Sequence, residues 1–166
     1  MRTPITLVVG LVTVFFTLNG ASSAPTPKLS AADQKALAPV FATAEKGIRD
    51  LDENVFKSVF HPEGYQKNLV GGSGLAGFKT FRQGTRKGWY LKPRWNEALA
   101  TGGDTALVPC DVFHWADAKV VDRVDAAVVK HQGKWLVLGG GEKRPEVLAL
   151  IERWKAREPL APPARP

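Results

Sequence analysis

From Leu37 onward, apolar residues recur at three- and four-residue spacing: Leu37, Val40, Phe41, Ala44, Ile48 and Leu51. That is the stripe of an amphipathic helix. Ser30, with Asp33 three residues on, has the form of a capping box, which satisfies free N–H groups at a helix start. Pro39 interrupts the pattern, so either the helix kinks there or it begins near Ala38 with Pro39 in its first turn. Asp50 or Asp52 caps a second short helix carrying Val55, Phe56, Val59 and Phe60, and His61-Pro62-Glu63-Gly64 ends it. After the glycine-rich stretch 71–74, a third helix places Leu75, Phe78 and Phe81 inward. From Lys92 the period changes to two. The strands expected are Lys92–Ala100, Thr105–Trp115, Val120–His131 and Lys134–Gly141, with turns at 101–104, 117–119 and 132–133. Pro145 opens a last helix, with Val147, Leu150, Ile151 and Trp154 on one side.

Helices first and strands afterwards is the order of an α+β domain, and strands joined by such short turns form an antiparallel meander. A curved sheet wrapping the early helices encloses a cone-shaped hollow. A two-residue turn at Gln132-Gly133 pairs Lys130 with Trp135 and carries the register down to Arg123 opposite Glu142. One sheet face then holds Ala127, Val129, Leu136 and Leu138 with Arg123, Asp125 and Glu142; the other holds Val124, Ala126, Val128, Trp135 and Val137. Both are apolar in mid-strand, so both call for a cover. The helices supply one, and a second copy of the chain, packed sheet to sheet, supplies the other.

The N-terminus adds a separate signal. Arg2 precedes an apolar run from Ile5 to Leu18, followed by the small residues Asn19 to Ala24. A positive start, an apolar stretch of about 7–15 residues and a small-residue cleavage zone describe a secretory leader, and the run falls short of the roughly 20 apolar residues that span a bilayer. Residues 1–24 are therefore expected to be a signal peptide cut between Ala21 and Pro25, with no stable membrane anchor afterwards. The protein is expected to be secreted or periplasmic. Residues 25–29 read as a linker, 30–157 as the domain and 158–166 as a disordered, proline-rich tail. The whole chain carries a formal charge of +7, a surplus that favours anionic small molecules or polyanions as partners. Export argues against nucleic acid. The single Cys110 excludes an internal disulfide, and with Val108 and Val112 on its strand face it reads as a core thiol.

Three stretches resemble the nuclear transport factor 2-like superfamily, in particular its SnoaL-like and related secreted branches. They are Arg49-Asp50-Leu51-Asp52 running into Val55 to Pro62, Gly103 to Val108 opening a strand, and Asp122 to Lys130 followed by Gly133 to Leu138. The resemblance spans roughly 31–142 and implies a cystatin-like α+β fold. Superfamily members include isomerases, cyclases, dehydratases and binding or scaffolding domains, so fold alone leaves function open.

Several side chains suit chemistry. Asp125, Arg123 and Glu142 share a face; they form either an acid–base group in the hollow or a cross-strand ion pair. Asp111 shares its face with Leu107, Phe113 and Trp115, and a lone acid there is a pocket candidate. Relatives of the ketosteroid isomerase kind use an acid as base and a Tyr hydroxyl to stabilise an enolate, and Tyr65 takes the comparable place by resemblance. His61 reads as a cap or rim residue and His131 as a solvated turn residue. Between Lys79 and Asn96, the cations Lys79, Arg82, Arg86, Lys87, Lys92 and Arg94 interleave with Phe81, Trp89, Tyr90 and Trp95 and no acid. That composition suits an anionic ligand or a solvated helix face beside core aromatics.

No spacing suits a metal, and no cofactor is expected. Three functions follow: a small-molecule-binding domain with Tyr65, Trp95, Asp111 and Asp125 about its ligand; a cofactor-independent isomerase, cyclase or dehydratase using Asp111, Asp125 or Tyr65; or a non-catalytic envelope interaction module gripping anions with Lys79, Arg82, Arg86 and Arg94.

Overall fold

Ser30 caps the first helix as its spacing predicts: its Oγ accepts from the Asp33 amide at 3.1 Å and donates to the Asp33 carboxylate at 2.6 Å. The computed structural model describes residues 26–67, 78–79, 89–114 and 119–158. The expected leader, the glycine stretch 71–74, Arg82, Arg86, Trp115 and the tail beyond 158 lie outside them. Helix α1 runs unbroken over Ala31–Arg49. Pro39 lies inside the helix, which therefore does not begin near Ala38; Pro39 is exposed, so the Lys35 carbonyl it leaves unpaired is on the water side.

Asp52 caps α2 (Glu53–Lys57), accepting from the Asn54 and Val55 amides. This helix is shorter than the apolar pattern suggests, because Pro62 opens a further helix, α3 (Pro62–Lys67), instead of merely closing the one before it.

The sheet comprises β1 (Trp89–Pro93), β2 (Leu99–Gly102), β3 (Thr105–His114), β4 (Val120–His131) and β5 (Lys134–Gly141), all antiparallel, in the order β1-β3-β4-β5, with β2 also on β3. The expected strand Lys92–Ala100 is thus two strands sharing one edge of β3. Pro93, which has no N–H to offer, ends the first, and a 3-10 turn at Trp95–Glu97 separates them. Residues 27–29, expected as a linker, extend this edge: the Leu29 amide donates to Ala98 and the Ala100 amide to Pro27, each at 2.9 Å. Gln132 and Gly133 both take positive φ, 50° and 77°, as a two-residue hairpin turn with native twist requires. A last helix, α4, covers Arg144–Lys155.

Helix α1 touches both β1 and β5, so the sheet curls around it. Leu37 and Phe41 from α1 meet Val108, Cys110, Val128 and Val137, all buried. Cys110 is a core thiol, and burial pushes its pKa upward. The opposite face carries Leu107, Ala127, Val129 and Leu138 under Val147, Leu150 and Ile151 of α4. The cover expected from a second copy is supplied over these residues by the chain's own last helix.

The outer edge of β5 is closed by the segment between α2 and α3. The Val137 amide donates to Val59 and the His61 amide to Val137, both at 2.8 Å, and Gly64 lies against the Leu138 carbonyl. A third cluster, Ala44, Ile48, Phe56, Val59, Tyr65 and Phe78, fills the space between α1, α2 and α3.

Candidate functional site

The four residues expected around one ligand are not brought together. Asp111 and Asp125 project from the α4 face of the sheet, since they alternate in phase with Leu107 and with Ala127 and Val129. Tyr65 and Trp95 lie on the α1 side, in separate clusters. A sheet therefore separates the two acids from the hydroxyl that was to act with them.

Each acid is also engaged. Asp125 is buried, and Arg144 from the first turn of α4 grips both its oxygens, Nε to Oδ2 at 2.8 Å and Nη2 to Oδ1 at 3.0 Å. Such a two-point, charge-assisted pair fixes geometry as well as charge. It raises the Arg144 pKa further. Glu142, the expected neighbour, is not opposite Arg123. A bulge shifts the β4–β5 register after Val128, so that Asp125 faces Gly141. Asp111 sits opposite Arg123, with its Oδ1 3.3 Å from Arg123 Nε and 3.5 Å from Arg94 Nε. Two guanidiniums on one carboxylate make it a charge-pairing group, not a free base.

Tyr65 donates its hydroxyl to Glu53 Oε1 at 3.0 Å, tying α3 to the start of α2. Burial, and then that hydrogen bond, hold its pKa above the ordinary phenol value, so the hydroxyl stays a donor. Tyr65→Phe should cost about 1 kcal/mol in chemical denaturation, the usual worth of one such bond, and leave any ligand binding unchanged.

Among the expected anion binders, Lys79 is exposed, while Arg82 and Arg86 lie outside the described residues. Arg94 is committed: its Nη1 bonds Glu97 at 2.9 Å while its Nε faces Asp111. Among the described residues no cluster of three His, Cys, Asp or Glu could hold a metal, and no helix is long and apolar enough to cross a membrane.

What the structure does offer is an open groove of about 300 Å³ between α1 and β1. Ala38, Phe41, Ala42 and Glu45 line one wall, and Tyr90 to Pro93 with Trp95 the other. Phe41 and Trp95 meet edge to face, 5.7 Å between ring centres. Trp95, expected near a ligand, is among the lining residues of this groove; Phe41 was expected only as core, and neither alanine was expected as lining. Their signal is periodic: Ala38, Phe41, Ala42 and Glu45 fall three and four apart, one helix face edged with small side chains. Arg144 was missed because its partner lies 19 residues away in sequence, beyond the reach of local pattern.

No protein-family profile matches the chain, and no curated protein does. Solved structures similar to it are a cystatin-like protein of unknown function from Nostoc punctiforme, 18% identical over 68% of this chain and 91% of that one, TM-score 0.45; an NTF2-like protein of unknown function from Shewanella oneidensis, 10% identical over 65% and 96%, TM-score 0.45; and Aln2 from a Streptomyces species, 15% identical over 74% and 97%, TM-score 0.49. The chain's own architecture is an α+β domain with a curved antiparallel sheet, helices on its inner face and a C-terminal helix on its outer one.

Proposed function

We propose that this is an exported, non-catalytic binding domain that takes a small, flat, partly apolar molecule in the groove between α1 and β1. One observation carries the reading: Phe41 and Trp95 meet edge to face in an open groove edged by Ala38 and Ala42. The rigid rings of Phe41 and Trp95 provide contact area at low entropic cost, and Glu45 places one charge in the lining. Export rests on the leader-like pattern of residues 1–24. Acid–base catalysis finds less support, because proton abstraction needs an acid within about 3 Å of its substrate atom. Asp111 and Asp125 are paired with arginines on the far side of the sheet.

Native mass spectrometry of protein recovered from its own host should show a retained small molecule. Ala42→Trp, at an exposed helix position, should fill the groove and weaken binding at least about tenfold, while stability stays within about 0.5 kcal/mol, as for other surface changes. Trp95→Ala should weaken binding similarly. A retained ligand that survives Ala42→Trp undiminished would place the site elsewhere and overturn the reading.

A further inference from the structure

His61 and His131 lie far apart in the sequence and meet in the fold. Their rings are edge to face with centres 5.0 Å apart. Trp154, in the last turn of α4, closes the group at 4.8 Å from His61 and 6.1 Å from His131. His61 is not a rim residue: only 8% of it is exposed, and its Nδ1 is buried without a hydrogen-bond partner among the described residues. His131 is half-buried, not a freely solvated turn residue.

The three rings join three parts of the fold. His61 leads into α3 and is fixed by its backbone to β5, accepting from the Tyr65 amide and donating to the Val137 carbonyl. His131 ends β4, and Trp154 ends the helix that covers the outer sheet face. We propose that His61, His131 and Trp154 form an acid-sensitive latch, closed when the His61 imidazole is neutral and released, together with the last turn of α4, when His61 takes up a proton.

The charges around the group set the direction. Glu63, two residues along α3, favours a proton on His61. Against it stand burial, the larger effect, and the charge His131 would carry, so the His61 pKa lies below its ordinary 6.5. From β5, the exposed Lys134 is the ladder partner of His131. Lys130 is turned to the other face, 5.8 Å from the Trp135 ring. In the last turn of α4, Arg153 and Lys155 flank Trp154, with Lys155 bonded to Glu152. A proton on His61 would put a charge where its Nδ1 is buried without a hydrogen-bond partner among the described residues.

A folded state that disfavours the proton binds fewer protons than the unfolded chain. Stability is therefore full above about pH 6.5 and falls as pH drops through that value toward the depressed His61 pKa, with the folded-to-unfolded ratio losing up to about tenfold per pH unit.

The test combines an NMR titration of the His61 ring in the full chain with amide exchange of the last turn of α4 between about pH 7.5 and pH 5, above the range where carboxylates titrate. His61 should titrate below a free imidazole. After correction for intrinsic rates, exchange should rise several-fold toward pH 5 in the parent and change less than about twofold in His61→Phe, which keeps a ring and loses the proton site. Identical pH profiles for parent and variant would overturn the latch. So would a His61 that titrates at or above the free value, a readout that needs no variant to fold.

Discussion

Replacing Gly64 by alanine should destabilise the domain by about 3 kcal/mol, although alanine is the better helix former. Two effects oppose at this position. Gly64 lies inside α3 and shows no positive φ, so a side chain is sterically allowed by its own backbone, and helix propensity alone favours alanine by up to about 1 kcal/mol. The added Cβ, however, would fall against the carbonyl oxygen of Leu138, far inside the distance real methyl groups keep. That oxygen belongs to β5. Leu138 is fully buried, its side chain packed with Ala127 and Val129 of β4 and under α4, and its neighbours Val137 and Gly139 are paired to β4, so the strand has little room to yield.

The helix must move instead. That breaks the Val59–Val137–His61 hydrogen bonds closing the sheet edge. The clash therefore outweighs the propensity gain, and urea denaturation should show a lower midpoint with an unchanged slope. A neutral or stabilising Gly64→Ala would mean that α3 does not pack on β5 as described. Gly47 makes a milder version of the same contact, its Cβ position lying 2.5 Å from the Phe56 amide nitrogen across the α1–α2 junction.

How much of this was legible beforehand follows from the reach of each signal. The limits of β4 and β5 and the start of β3 fall where alternation and turn residues place them, because those signals are local. So does the Ser30 cap. Alternation also sorted side chains correctly into two sets: Val108, Cys110, Ala126 and Val128 on one face, Leu107, Ala127 and Val129 on the other.

It does not say which set faces the early helices, since both are equally apolar. The placement of Asp111 and Asp125 in the hollow went wrong at that step. Nor does alternation foresee a bulge: the slip after Val128 moved Glu142 away from Arg123 and left Asp125 to a helix-borne arginine. The break at Pro93 was visible in principle, since a proline with no ladder donor marks a strand end. The aromatic groove and the histidine pair each join residues about 50 or more apart in sequence, and only tertiary packing brings them together.

A chain ended after Lys143 should fail to remain in the same state as the full protein. Helix α4 contributes Val147, Leu150 and Ile151, each fully buried, to a cluster with Leu107, Ala127, Val129 and Leu138. Burying one such aliphatic side chain stabilises by about 1.5–3 kcal/mol. Losing three, and wetting the strand face beneath, removes an amount comparable to the whole stability of a domain, about 5–15 kcal/mol. Asp125 would also lose Arg144. The shortened sheet then has two outcomes: it unfolds, or its bare apolar face finds another copy of itself, the sheet-to-sheet contact that the alternation pattern suggests once α4 is set aside.

Light scattering and dye binding at matched concentration should show larger particles or exposed apolar surface relative to the full chain. Ile151→Asp separates the two causes, since it keeps α4 but buries an unpaired carboxylate, costing several kcal/mol. It should destabilise without adding residues to the exposed face unless the helix detaches. A shortened chain with the same particle size, dye response and denaturation midpoint as the parent would show that the outer face needs no cover, and that the fold is held from the α1 side alone.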